Sequence, residues 1–270
     1  MNSDESVQSY NSRAWDRNVE RGNPWTLPVG SSDIQKARNG DWKIFLTPSI
    51  PIPSSWFPSP LQGKEVLGLA SGGGQQGPIL AAAGANVTIF DNSSKQLARD
   101  REVAKREGLH IQTVQGDMAD LSAFKDNSFD LVIHPASNVF SPRVRPVWKE
   151  AFRVLRAGGA IFSGFMNPAI YLFDPGLAKT EGILRAVHPL PYVEPRDMTP
   201  EMKAEALREE IPFEFSHSLD DQIGGQIDAG FVLTGFFEDN YAEADRVNDP
   251  VSQIMPTCLA TRALKPLGAP

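Results

Sequence analysis

The chain predicts an α/β fold with a doubly wound, mainly parallel sheet of about seven strands, closed at one edge by an antiparallel hairpin. Three observations carry that prediction. Strand-like and helix-like segments alternate five times between Glu65 and Phe165. A cluster of glycines (Gly72, Gly73, Gly74, Gly77) stands between the first strand and its helix. Near the C-terminus the runs VLTGFFED and CLATRALKP read as two strands joined by a loop.

Each element has a local cause. Glu65–Leu69 (EVLGL) reads as a short buried strand, and the glycines bend the chain after it. Glycine at that density answers a backbone demand: positive φ at a turn, and a ligand close to the main chain. A helix is expected to open at Pro78, whose fixed φ suits a first helical position, and Gly84 marks its far end. Asn86–Phe90 is the second strand and ends in Asp91. Ser93 or Ser94 caps a helix to Glu107, with Leu97, Ala98, Val103 and Ala104 as its expected buried stripe, and Gly108 stops it. The third strand, Ile111–Gln115, runs into Gly116-Asp117-Met118, and the fourth covers Leu131–Ile133. A helix near Arg145–Leu155 packs through Val147, Trp148, Ala151, Phe152 and Leu155. Arg156-Ala157-Gly158-Gly159 is then expected to turn the chain into a fifth strand, AIFSGF.

Outside this frame the character changes. Residues Asp4 to Glu20 carry the spacing of an amphipathic helix, whereas Gly22 to Pro60 is rich in proline and tryptophan, which prevents long regular elements. That segment reads either as an apolar apron over the core or as a cap over a ligand mouth. Regularity is lost again from Met166 to Phe215, apart from the helical TPEMKAEALREE, and insertions at the carboxyl edge of such a sheet serve as binding loops or lids. SLDDQIGGQIDAGF restores a helix before the final pair of strands. The expected organisation is one domain over residues 1–270, with 1–60 as a cap segment and 167–215 as an insertion or lid.

Composition narrows the partners. A formal charge of −7 argues against nucleic acid, whose binding needs a strongly basic face. No apolar run approaches the roughly 18–20 residues of a membrane span, so no membrane is expected. A lone Cys258 forms no internal disulfide and no metal cluster, and the polar MNSDESVQSYNSRAW shows no signal sequence. A cytoplasmic protein acting on a small molecule is the expectation, with no metal.

The ordered signals resemble class I S-adenosylmethionine-dependent methyltransferases of the small-molecule branch, type 11-like, and hence a Rossmann-like sheet. The likeness is strongest from Val66 to Gly164 and weaker from Ser218 to Lys265. VLGLASGGG stands where that family has VLDLGCGTG, and Ile89-Phe90-Asp91 where its second-strand acid binds the ribose hydroxyls. Gly116-Asp117-Met118 is similar to its Gly-Asp-hydrophobic element, whose acid accepts from the adenine amine; EAFRVLRAGGAIF resembles its helix-to-fifth-strand segment. The resemblance implies S-adenosyl-L-methionine as cofactor, held by Ala70, Ser71, Gly72, Gly74, Gln75, Asp91, Asn92, Gly116, Asp117, Met118, His134 and Ser137. Tyr10 and Trp15 resemble the aromatic residues that cover the methionyl end in relatives, and Trp25 joins them as a candidate cap residue. Two departures stand out: the first-strand acid is Gly68 and the first motif glycine is Ala70.

Two other classes fit part of the pattern. Gly72, Gly74 and Gly77 satisfy G-x-G-x-x-G and Asp91 suits an NAD ribose, so a nicotinamide oxidoreductase is the alternative within the fold. Against it, Pro78 lacks an N–H at the helix start where a pyrophosphate would sit, and Gly-Asp-Met has no role there. The loss of an acid at Gly68 also fits a non-catalytic sensor that binds the cofactor without transferring methyl. For catalysis, the donor carries an activated methyl, and the protein must position the acceptor and free its lone pair. His134, at the end of the fourth strand, is the candidate base, with packing or loop bonding as its structural alternative; His188 and His217 read as structural. His134-Pro135-Ala136-Ser137-Asn138 does not match the Asn/Asp-Pro-Pro-aromatic motif of nucleic-acid amino methyltransferases. The pairs Asp220-Asp221 and Glu209-Glu210, with Arg143 and Arg145, read as solvated surface.

Overall fold

The computed structural model describes residues 5–243 and 249–268. Its centre is a seven-stranded sheet of order β3-β2-β1-β4-β5-β7-β6. The strands are β1 (Glu65–Leu69), β2 (Asn86–Asp91), β3 (Ile111–Gln115), β4 (Phe129–His134), β5 (Leu155–Met166), β6 (Val232–Asp239) and β7 (Cys258–Leu264). β1 to β5 run parallel, and β7 lies antiparallel between β5 and β6. The chain leaves β1 toward β2 on one side and returns to β4 on the other. That reversal opens a crevice at the carboxyl ends of β1 and β4, where α/β sheets bind ligands.

The helices follow from capping and apolar stripes. They are α1 (Val7–Glu20), α2 (Ser31–Arg38), α3 (Gln76–Ala82), α4 (Ser94–Glu107), α5 (Arg145–Val154), α6 (Pro175–Glu181), α7 (Pro200–Glu209) and the short α8 (Gly225–Asp228). Ser93 caps α4 by accepting from the Gln96 amide, and Gly108 ends it at φ 64, a left-handed conformation that suits glycine. One face of the sheet packs on Trp148, Val147 and Ala151 of α5, and the other buries Leu80 of α3 and Leu97 of α4. Among the described residues no helix is long and apolar enough to cross a membrane.

Four local expectations are corrected. Helix α3 opens at Gln76, not Pro78, because the preceding turn already carries Gln75 as its cap; proline sits in the first turn, where its missing N–H costs nothing. Ala98 is exposed, and the buried positions of α4 are Gln96, Leu97, Asp100 and Val103, so the stripe is rotated and includes an acid. The segment 156–159 does not turn the chain. It continues β5 back to Leu155, with an irregularity in its pairing to β4 between Phe129 and Leu131, and Gly158 takes φ 81 there. The expected helix over SLDDQIGGQIDAGF is a π-helical turn at Asp220–Gly224 followed by α8.

The N-terminal segment wraps the sheet. Trp42, Trp56 and Phe57 pack on the core at Phe162, with Trp56 and Phe57 edge-on to that ring at 5.6 and 5.2 Å. Helix α1 lies across the carboxyl ends: Ser12 Oγ donates to the Asn92 carbonyl (2.7 Å), and Asp16 accepts from Ser93 Oγ (2.6 Å) and the Lys95 amide (3.0 Å) at the start of α4. A carboxylate there is favoured by the unpaired amides and dipole of the helix N-terminus. The 167–215 segment returns to α1, where Tyr10 stacks on Phe213 at 4.5 Å.

Candidate functional site

The glycine bend after β1 is held from below by two buried carboxylates. Asp91, 8 % exposed at the end of β2, accepts from the Gly72 and Ser93 amides, both at 2.9 Å. Burial pushes its pKa up to about 6, against the pull of those backbone donors. Asp100, fully buried on α4, accepts from the Gly73 amide at 3.1 Å on one oxygen, and its other oxygen has no partner. Burial raises it to about 7. Periodicity held the signal for Asp100, since it lies three residues after Leu97 and three before Val103, but an acid on a charged helix reads as solvent-facing.

The glycines serve the protein's own packing. Gly73 (φ 119) has no room for a side chain beneath the Trp25 carbonyl, which a Cβ would meet at 3.1 Å. Gly74 (φ 72) is closed in by Pro28 at 2.8 Å and the Arg99 carbonyl at 3.0 Å. Gln75 donates to the Pro24 and Leu27 carbonyls, and the Val29 amide donates to Gly74. The close approach expected of a ligand is made here by residues 24–29. The face left open begins at Ala70, which takes φ 48 where the motif has glycine and donates its amide to the Phe90 carbonyl. Strained backbone of this kind persists where the surroundings fix it, and it clusters at ligand sites.

A narrow cleft with an internal volume of about 20 Å3 lies beside Ala70, lined by Gln8, Phe90, Asp91, Asn92, Gly116, Asp117, Met118, Phe140 and Ser141. Of the sequence-derived residues, Ala70, Asp91, Asn92, Gly116, Asp117 and Met118 meet there. Ser71, Gly72, Gly74, Gln75, His134 and Ser137 do not line it. Gln8, Phe90, Phe140 and Ser141 were missed: Gln8 comes from α1, a contact across more than a hundred residues with no sequence pattern. Its Nε2 donates to Asp117 Oδ2 at 3.1 Å, while the Ala119 amide donates to Oδ1. Gly116 is required by packing, because a Cβ would stand 2.3 Å from the Phe90 ring.

The remaining candidates fall elsewhere. His134 is fully buried; its Nδ1 donates to the Leu69 carbonyl at 2.9 Å, its ring meets Trp148 edge-on, and Nε2 has no partner. Burial lowers its pKa to about 4, so the imidazole is neutral at pH 7 and a poor proton acceptor. Ser137 Oγ donates to the Pro135 carbonyl. Tyr10 does not cover the cleft: it is 1 % exposed, and its hydroxyl donates to the Ala206 and Ile211 carbonyls. Trp15 stands edge-on to Phe140, which lines the cleft, and Trp25 is 53 % exposed above the glycine bend. His217 is buried on the Asn138 carbonyl, and Arg145 ion-pairs with Asp220, Asp221 and Asp228. Among the described residues no group of His, Cys, Asp and Glu is arranged to hold a metal.

The residues present fit an adenosyl group. Carboxylates close β2 and β3 side by side, Met118 and Phe140 offer apolar walls, and a side-chain amide already donates to Asp117 where an adenine amine would. A parallel sheet with its seventh strand inserted antiparallel, a glycine bend after β1 and these paired acids define a Rossmann-like methyltransferase architecture.

The Methyltransf_11 methyltransferase domain matches residues 67–163. An uncharacterized methyltransferase of Bacillus subtilis, YbaJ, is 50 % identical over 96 % of this chain and 99 % of its own length. The chain belongs to that methyltransferase family. A sterol 24-C-methyltransferase of Aspergillus fumigatus is 39 % identical over 36 % of this chain but only 26 % of its own. Among solved structures, an S-adenosylmethionine-dependent methyltransferase from Mesorhizobium loti superposes with a TM-score of 0.60 at 20 % identity, covering 78 % of this chain and 94 % of that one.

Proposed function

We propose that the chain transfers a methyl group from S-adenosylmethionine to a small-molecule acceptor, with Asp91 holding the ribose diol and Asp117 the adenine amine. The supporting observation is the single cleft that gathers Ala70, Asp91, Gly116 and Asp117. When bound, the cofactor supplies a methyl on a sulfonium, which needs no further activation. The chain's own work is to orient the donor and acceptor and to keep water out. Helix α1 serves as the cover, through Gln8 and through Ser12 and Asp16 on the ends of β2 and α4. His134 stiffens the junction of β1 and β4 through the Leu69 carbonyl and takes no proton.

With Gly68 in the place of the acid, the methionyl ammonium falls to backbone carbonyls near Ala70. Residues 1–60 act as the cap segment and 167–215 as the lid of one catalytic domain. The negative charge of the chain favours a small-molecule acceptor over nucleic acid.

Calorimetry tests the reading. S-adenosylhomocysteine should bind and NAD should not. Asp91→Ala and Asp117→Ala should each weaken binding about tenfold or more, the cost of losing a hydrogen bond to a charged group. Unchanged affinity in both would remove the assignment. Gln8→Ala should tighten binding severalfold, because the amide competes with the adenine amine for Asp117; weaker binding would show that Gln8 is part of the site instead. Release of labelled methyl to an acceptor separates an enzyme from a sensor.

A further inference from the structure

The 167–215 segment builds a second polar cluster at the same end of the sheet. Tyr171 follows β5, Tyr241 follows β6, and the Phe215 amide donates to the Val139 carbonyl next to Phe140 of the cleft. Between them stand two carboxylates. Glu214 accepts from the Tyr171 hydroxyl at 2.6 Å, and Glu194 accepts from the Glu214 amide at 3.0 Å. Neither takes part in an ion pair among the described residues, although both are half-buried. Burial raises Glu194 to about 7 and raises Glu214 as well, with each other's charge adding to the effect at Glu194.

Aromatic rings face these acids. Tyr171 and Tyr192 stack at 6.0 Å with 17° between their planes, and His188 lies 4.6 Å from Tyr192. Tyr192 is 4 % exposed; its hydroxyl faces Glu194 yet makes no hydrogen bond of ordinary geometry. A buried hydroxyl that makes no hydrogen bond of ordinary geometry and two half-buried carboxylates with no cation among the described residues are both unfavourable as they stand. One ligand relieves both: a cation that presents N–H or N–CH3 groups to the acids and to the ring faces.

We propose that this cluster is the acceptor site and that the acceptor is an amine, bound as its ammonium by Glu214 and Glu194 beside the stacked pair of Tyr171 and Tyr192. The inference rests on the methyl-transfer reading above. The ammonium gives its N–H proton to the Glu194 carboxylate. The freed nitrogen lone pair forms the new N–C bond as the methyl's C–S bond breaks, its electron pair staying on sulfur. The products are an N-methylated ammonium and the thioether, and Glu194 returns its proton to solvent. A carboxylate that titrates near neutrality suits that exchange.

The test is calorimetry on the full chain with S-adenosylhomocysteine present, titrating N,N-dimethylethanolamine, whose ammonium carries an N–H, against its neutral isostere 3-methylbutan-1-ol. The amine should bind at least tenfold more tightly. Glu214→Gln and Tyr192→Leu should each weaken the amine about tenfold while leaving S-adenosylhomocysteine affinity within twofold, which also reports that the variants fold. Equal binding of amine and isostere, or no binding of either while S-adenosylhomocysteine binds, overturns the amine site alone. Failure of S-adenosylhomocysteine to bind the unaltered chain overturns the methyl-transfer reading itself, and the acceptor assignment with it. The comparison of the two probes on the unaltered chain needs no variant to fold.

Discussion

Gly68→Asp, which places an acid where the motif VLDLGCGTG has one, should melt roughly 2–6 °C below the parent, from an overpacking cost of about 1–3 kcal/mol. A Cβ at Gly68 would stand 2.4 Å from Ser71 Oγ and 2.5 Å from Ile89 Cδ1. Serine can rotate away, but Ile89 is fully buried and its Cδ1 is also held against Gly77, where a Cβ would meet it at 2.7 Å. A new carboxylate would also join Asp91 and Asp100, both buried and already pushed toward their neutral forms. Ile89→Val removes the obstructing methyl, so the double variant should recover part of the loss, a coupling that a double-mutant cycle reads directly. If Gly68→Asp melts like the parent and binds S-adenosylhomocysteine more tightly, the space is open and the packing argument fails. The motif departure is therefore built into the core, and reverting it in isolation should not improve the site.

Asp100→Asn should change how stability depends on pH. The folded-state pKa of Asp100 lies near 7, above the unfolded value of about 3.9. The folded chain therefore binds more protons than the unfolded one between about pH 4 and 7. Its contribution is fully present below pH 4 and is lost as pH rises through 7; Asp91 adds the same sign up to about pH 6. Asparagine keeps an oxygen for the Gly73 amide and cannot ionise. Relative to the parent, Asp100→Asn should gain on the order of a few kcal/mol between pH 5 and pH 8, measured by urea unfolding at each pH. Parallel curves would show that Asp100 does not titrate in this range. Asp100→Ala should be destabilised below about pH 5 by roughly 1 kcal/mol or more, because the Gly73 amide loses one of its two acceptors and keeps only the Gln96 carbonyl.

The strands and most helix ends were legible in the sequence because their causes are local. β1 and β3 match their expected spans, Ser93 caps α4, and Gly108 closes it with a left-handed residue that few others adopt. That Asp91, Gly116 and Asp117 would come together at one edge was legible because a parallel strand delivers its last residue to the same edge as its neighbour. Errors arose where a local rule met tertiary packing. Proline at a favoured first position did not set the start of α3, and glycines at 158 and 159 did not set the start of β5, since pairing with β4 and β7 outweighed their turn preference.

The sequence by itself determined the sheet, its strand sequence and the carboxylates at its edge, since alternation, capping and motif order are properties of neighbours along the chain. Only the tertiary structure decided what the glycines are for and where the polar groups lie. Residues 24–29 press on Gly73 and Gly74, Gln8 reaches Asp117, Asp100 turns inward, and Glu194 and Glu214 gather among tyrosines. Each of these joins segments remote in sequence, and side-chain periodicity carries no record of which remote surface a residue will meet.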